Sequence, residues 1–344
     1  MTRPIVLLLL CSIAVPGWPA TSASSGAPAA AAPDRPNPEH GLNAAAAAFD
    51  AFDVERTSSL LNEIEKAGGS NVDTLYYRTR IAALRNDPTG ATRVTESCVQ
   101  RFPQASRCHE ALAEARISAV FSSGNVLTSL EQARAAKSAW QQAFTLDPRN
   151  ARAGLLLLRY CRQAPWVAGG SDSQARKIEA ALPRVSVSAG HQARGLNLLA
   201  DEKYDLAIAA LNAAVRANPT DRDPRIYVAI ALAAAKRWPE ATRYMEELLT
   251  RYPKFWDGWL MLANAYYEGR LDADRGLAAV RVYFASGINR AKPQQAQAQA
   301  ILGALLERQG DKVGAQAAFR RALALSEDNE LAAEGLKRLG KNCC

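Results

Sequence analysis

Histidine is scarce in this chain of 344 residues, which contains only His40, His109 and His191. No HExxH, GxSxG or glycine-rich phosphate loop occurs, and no two histidines stand at metal-ligand spacing, so no familiar hydrolase, phosphotransferase or zinc constellation is present. The cysteines form no CxxC, and the adjacent Cys343 and Cys344 lack the histidines a zinc site would need. Aromatic residues make up 7%, and β-branched runs are few, which argues against a β-rich fold. Dense basic runs are also missing. The 42 Lys plus Arg against 34 Asp plus Glu leave a net charge of +8, spread thinly along the chain. That balance suits an acidic partner but not a nucleic-acid-binding arm. Charged residues at 22% and hydrophobic residues at 48% are ordinary for a folded chain. Alanine, the best helix former, is what the sequence has in abundance.

Beyond the N-terminus no run approaches the roughly 20 apolar residues of a spanning helix. At the N-terminus, Arg3 precedes the 11-residue stretch from Ile5 to Val15, which Pro16 and Gly17 then break. Too short to span, this reads as a secretory signal, with Thr21-Ser22-Ala23 offering small residues for cleavage near Ala23 and Ala20 as the alternative. Cys11 follows four leucines, which does not suit lipidation. Residues 1–23 are therefore expected to be removed, leaving a periplasmic or secreted protein with no membrane insertion. Five cysteines would remain in an oxidising compartment, so at least one stays free or pairs between molecules. Cys98 and Cys108 flank the turn between two expected helices and are either a disulfide or two buried thiols. Cys343 or Cys344 would be available to link a dimer.

Residues 24–38 are rich in Ala, Pro and Ser without a period and read as a flexible spacer. Helical patterns of about a dozen residues follow, separated by Gly, Asn-Pro or Asp-Pro breaks. The segments are self-similar. Ala207 and Ala241, and likewise Pro219 and Pro253, are 34 residues apart, and Trp259, Leu262, Ala263 and Tyr266 have the spacing W-x2-LA-x2-Y. A last copy places Gly303, Gly310, Ala315, Phe319 and Ala322 in the remaining slots. Thr57 and Ala91 repeat the interval earlier, while two intervening copies carry insertions around Ser122 to Thr128 and at Ala164 to Ala175.

These residues resemble the tetratricopeptide repeat (TPR), a helix-turn-helix unit of 34 residues. The resemblance implies an all-α superhelical array of about eight units, in which a small residue at each close helix crossing lets antiparallel helices approach. Thr57, Ala91, Ala136, Ala175, Ala207, Ala241, Ala278 and Ala315 are assigned to that slot, with a closing helix from Leu331 to Leu339. The divergent copies are expected over 39–185 and the regular copies with the closing helix over 186–344.

In that family the first helices line a concave binding face, and the candidate groove follows from the register. Arg152, Arg159 and Arg162 share one helical stripe and form either an anion-binding surface or the solvated face of a basic protein. Tyr76, Arg80, Glu110 and Glu114 stand on neighbouring first helices. Leu196, Ile226 and Ile230 provide apolar positions, and Asn264, Tyr267 and Glu268 follow. Such a mixed groove suits an extended peptide or a partner helix. Trp140, Trp256 and Trp259 fall on packing slots. Trp166 sits outside the repeat pattern, in an insertion where Ser171 and Gln174 form a capping box. The resulting expectation is a non-enzymatic scaffold for a protein or peptide partner, acidic where the arginine stripe engages it. No catalytic residue, metal or cofactor is assigned. A solute-binding or polysaccharide-export subunit holding a small anion or glycan is the alternative. RNA binding would account for the charge, but export opposes it.

Overall fold

The computed structural model describes residues 38–122, 125–287 and 290–341. The export signal, the spacer before Pro38 and the Cys343-Cys344 pair lie outside the described residues. Among the described residues there are seventeen α-helices, two short 3-10 turns and no strand. Consecutive helices form antiparallel hairpins of the tetratricopeptide type.

The chain divides into two compact units. The first comprises residues 1–201 with 209–224, and the second residues 202–208 with 225–344. In unit 1, α1 (Pro38–Asp50) pairs with α2 (Val54–Gly68), α3 (Val72–Leu84) with α4 (Pro88–Arg101), and α5 (Ser106–Ser122) with α6 (Val126–Leu146). A fourth hairpin joins α7 (Ala151–Gln163) to α8 (Asp172–Ala181), and α9 (Val187–Ala200) follows. The division passes through α10 (Tyr204–Ala217). Unit 2 contains α11 (Asp223–Ala234) from Arg225 onward and α12 (Trp238–Arg251), then α13 (Trp256–Glu268) paired with α14 (Ala273–Ala285) and α15 (Lys292–Gln309) paired with α16 (Lys312–Leu325). It ends in α17 (Glu330–Lys341), which packs on α15 and α16.

The 34-residue period is written into the backbone as well as the side chains. Phe52, Asn86, Glu202, Lys236 and Arg270, each two residues or fewer before a second helix or its cap, have φ between 50° and 61°. The intervals from Phe52 to Asn86, from Glu202 to Lys236 and from Lys236 to Arg270 are all 34. Gly310 fills the same turn in the last copy at φ 89°. A left-handed residue ends one helix, and an Asp side chain at position 53, 87 or 311 then accepts the N3 amide of the next. Left-handed backbone is uncommon for a residue with a Cβ, so its recurrence reflects a turn geometry imposed by the packing of each hairpin.

Most of the assigned crossing slots are closed off. Thr57, Ala91, Ala136, Ala175, Ala207 and Ala315 have no exposed surface, and Ala241 is buried. The assignment of Ala278 is corrected, because Ala278 is exposed and Gly276 occupies the crossing. A Cβ on Gly276 would come within 2.9 Å of a Leu305 methyl and 3.1 Å of the Tyr266 Cβ. The copy is therefore 35 residues on from Ala241, and the closest approach of α14 to its neighbours admits hydrogen alone. In the α7–α8 connection Trp166 is exposed, and the Ser171 hydroxyl accepts the Gln174 amide at the start of α8.

Cys98, near the end of α4, and Cys108, early in α5, are joined as a disulfide with Cα atoms 5.4 Å apart. Both are fully buried, with Leu75, against Val94, Val99 and Phe102. Cys161 is a buried free thiol. No described helix is long and apolar enough to cross a membrane.

Candidate functional site

The inner, first-helix side of unit 1 carries a buried network of charges, built by the same period. On adjacent first helices a residue finds its partner 34 positions later: the Tyr76 hydroxyl donates to Glu110 at 2.7 Å, and the Arg80 Nε donates to Glu114 at 3.2 Å. Asp73 and Arg107 pair at the same interval. Arg152, on α7, joins both carboxylates, donating from Nε to Glu110 at 2.7 Å and from Nη2 to Glu114 at 2.8 Å. Its third nitrogen lies 3.4 Å from Asp223. Asn150, which caps α7, adds a 2.9 Å bond to Glu110.

Burial in this network is nearly complete, at 2% exposure for Arg80 and 1% for Glu110. Buried charges persist only when paired and hydrogen-bonded, and here each carboxylate meets a guanidinium. For Glu114 burial pushes the carboxyl up, but the Arg152 and Arg80 guanidiniums outweigh it and hold it below the usual carboxylate range. Burial raises the Tyr76 hydroxyl far above its ordinary value, keeping it a neutral donor. The Arg80 guanidinium also stacks over the Phe49 ring at 4.5 Å.

The sequence-predicted groove residues thus have different fates. Tyr76, Arg80 and Arg152 come together in the buried network, as do Glu110 and Glu114. Arg159 is half-buried on the same helix, while Arg162 pairs with Asp172 at 2.6 Å and with Asp201. The three arginines share a stripe, yet two of them are occupied by carboxylates of this chain. Leu196 is buried on α9. Ile226 and Ile230 are buried at 0% and 5% exposure, within a run from Ile226 to Leu232 that is buried on all sides of α11, so they present no open apolar face. Asn264 and Tyr267 are half-buried on α13.

Tyr267 opens onto the second feature, a cleft of about 670 Å³ in unit 2 between α13, α15 and α17. It is lined by Tyr267, Glu268, Arg270, Glu307, Arg308 and Arg338, with Ala304 at the apolar end. Arg308 donates to the carbonyls of Tyr266 and Leu271, satisfying the open end of α13. Arg338 forms a two-pronged pair with Glu307 at 2.8 and 3.2 Å. Arg270, on the left-handed turn, makes no ion pair among the described residues. Burial pushes both the Tyr267 hydroxyl and the Glu268 carboxyl up. The cleft therefore offers an aromatic face, one uncommitted guanidinium and a local excess of positive charge. Among the described residues no group of His, Cys, Asp and Glu could hold a metal ion.

Arg270, Arg308 and Arg338 were not singled out by the sequence, because they lie in a hairpin turn, at a helix end and on the closing helix. Asp223 was missed as well. The opposite charges repeated at 34 residues in Asp73 and Arg107 and in Arg80 and Glu114 were a legible signal of a cross-repeat ladder.

No family model matches the sequence, and no curated protein does. Solved structures do resemble the fold. A chain in the crystal structure of the APC/C hetero-tetramer Cut9-Hcn1 aligns over 87% of this chain and 55% of its own length, with 14% identity and a TM-score of 0.59. This chain thus spans about half the length of that one. The human IFIT1 dimer with PPP-AAAA aligns over 87% of this chain and 72% of its own, with 14% identity and a TM-score of 0.60. A thermophilic TPR protein of Thermus thermophilus aligns over 67% of this chain and 98% of its own, with 17% identity and a TM-score of 0.39. At 14% identity the likeness to the first two concerns the fold alone; with the helix hairpins and their 34-residue period, the chain has an all-α, tetratricopeptide-type repeat architecture.

Proposed function

We propose that this protein is an exported member of the tetratricopeptide-repeat family that acts as a non-enzymatic scaffold in the cell envelope, holding an extended segment of a partner protein in the cleft of unit 2. The observation that carries the reading is the contrast between the two first-helix faces. In unit 1 the charges of Arg80, Glu110, Glu114 and Arg152 on that face are engaged with one another. In unit 2 a cleft of about 670 Å³ remains, with Tyr267 and the uncommitted Arg270 on its wall. An extended chain there would stack an apolar side chain on Tyr267 and place a carboxylate against Arg270. The N-terminal signal supports the location, and a disulfide between Cys98 and Cys108 is in keeping with an oxidising compartment.

The test is capture from envelope extract by the mature protein, compared with Tyr267→Ala and Arg270→Glu. A protein retained by the wild type and lost by both variants, with capture falling as salt rises, supports the reading. Equal capture by the variants overturns it, and capture that disappears after nuclease treatment would mean that nucleic acid is the ligand.

A further inference from the structure

Unit 1 is closed on itself by a contact that spans 172 residues. The Arg222 side chain, 2% exposed, reaches the C-terminal end of α1 and donates from Nη1 to the carbonyl oxygens of Phe49, at 2.9 Å, and Asp50. Its guanidinium lies 4.0 Å from the centre of the Phe52 ring. Asp50 stands 3.7 Å from Nη2, and Asp223 3.7 Å from Nε. Asp223 in turn reaches Arg152 on α7, so one three-residue turn ties the first hairpin to the fourth. Asp221 shapes that turn by accepting the Asp223 amide through Oδ1 at 3.0 Å, and its Oδ2 is buried without a hydrogen-bond partner. Asp223 Oδ1 likewise has no hydrogen-bond donor.

We propose that the turn Asp221–Asp223 is a charge-sensitive clasp that holds unit 1 shut over its inner arginines and loosens as the three aspartates around it gain negative charge. Asp221 Oδ2 and Asp223 Oδ1 are buried without a hydrogen-bond donor, so negative charge placed there is taken out of water with its solvation only partly replaced. Facing the three aspartates are Arg222 from the turn itself, Tyr77 and Arg80 from α3, and Arg152 and Arg159 from α7. Arg152 and Arg80 are shared with Glu110 and Glu114, so Asp223 divides Arg152 with those glutamates, and Arg222 is divided between Asp50 and Asp223. Burial pushes Asp50 up to about 6, despite Arg222, and burial together with Asp223 pushes Asp221 up to about 7. Burial also raises Asp223. In an opened clasp the same groups would regain ordinary values near 3.8. The closed form therefore binds protons more tightly than the open one between about pH 4 and 7. Closure is strongest in mild acid and weakens as pH rises through about 6 to 7.

Hydrogen exchange read by mass spectrometry on the full mature chain tests this, with rates corrected for the intrinsic effect of pH. Amides of the turn at 221–223 and of residues 50–53 should exchange at least about tenfold faster at about pH 8 than at about pH 5.5 in the wild type. The double variant Asp50→Asn/Asp221→Asn, which keeps shape and removes charge, should flatten that dependence. Arg222→Gln should give fast exchange at both pH values, with helices α15 and α16 of unit 2 unchanged as a control for folding. A wild type with no pH dependence at these amides, or a double variant that keeps it, would overturn the proposal.

Discussion

Glu110 is a carboxylate shared by three side chains in unit 1, and its removal has a calculable consequence. At 1% exposure it accepts from Tyr76 and from Arg152, both at 2.7 Å, and from Asn150 at 2.9 Å. Glu110→Ala strips all three donors of a partner where water is excluded. The Tyr76 hydroxyl and the Asn150 amide each lose a bond worth about 1 kcal/mol, and a partly uncompensated guanidinium adds to this, giving a total of about 3 to 5 kcal/mol. Arg152 keeps Glu114 and Asp223, which favours the lower end. Glu110→Gln preserves volume and one acceptor oxygen, so its loss should be smaller, about 1.5 to 3 kcal/mol. Because Glu110 and Arg152 touch, their effects should couple. Glu110→Ala combined with Arg152→Met is expected to cost less than the sum of the two single changes by at least about 1 kcal/mol. Urea unfolding at about pH 7, followed by the midpoint at constant slope, reads these differences. A Glu110→Ala midpoint corresponding to less than about 0.5 kcal/mol, or strict additivity with Arg152→Met, would refute the view that this network is a connected, water-free unit.

The corrected register predicts that Gly276→Leu destabilises unit 2 by more than about 2 kcal/mol through overpacking against Leu305, while Ala278→Leu stays within about 0.5 kcal/mol; melting temperatures in the reverse order would restore the original slot. Replacing both Cys98 and Cys108 by Ser should cost about 2 to 3 kcal/mol by releasing a short loop, and reduction of the wild type should give a similar drop. Glu114, held below the usual carboxylate range, contributes stability that is present above its unfolded value near 4.5 and is lost as pH falls through its lower folded value. Glu114→Gln should therefore lessen the wild type's loss of stability below about pH 4, which acid titration of the urea midpoint would show.

Much of the architecture was readable because a 34-residue repeat encodes only local packing. Each hairpin needs a small residue at its crossing and a turn before its second helix, and both recur in the one-dimensional sequence. The 34-residue links from Tyr76 to Glu110 and from Arg80 to Glu114 belong to the same class, since a fixed translation between first helices turns a sequence interval into a spatial contact. Ala278 was misassigned for a local reason: one extra residue precedes Gly276, and alanine and glycine are both small enough to fit the pattern.

Which face stayed open was not encoded in that way. Tyr76, Arg80 and Arg152 stand on first helices by register, but whether a guanidinium there meets solvent or a carboxylate depends on helices brought together by the accumulated rotation of several repeats. Arg222 shows the limit most clearly. Its partners at Phe49 and Asp50 lie 173 and 172 residues away, so no period links them, and only closure of unit 1 places the guanidinium on the end of α1. The cleft in unit 2 is likewise a property of three helices and a turn, in which Arg270 owes its position to a left-handed backbone and Arg338 to the closing helix. Sequence determined the repeating unit, because its determinants are short-range. Tertiary structure decided which charges were neutralised and which remained available, because that depends on distances between repeats.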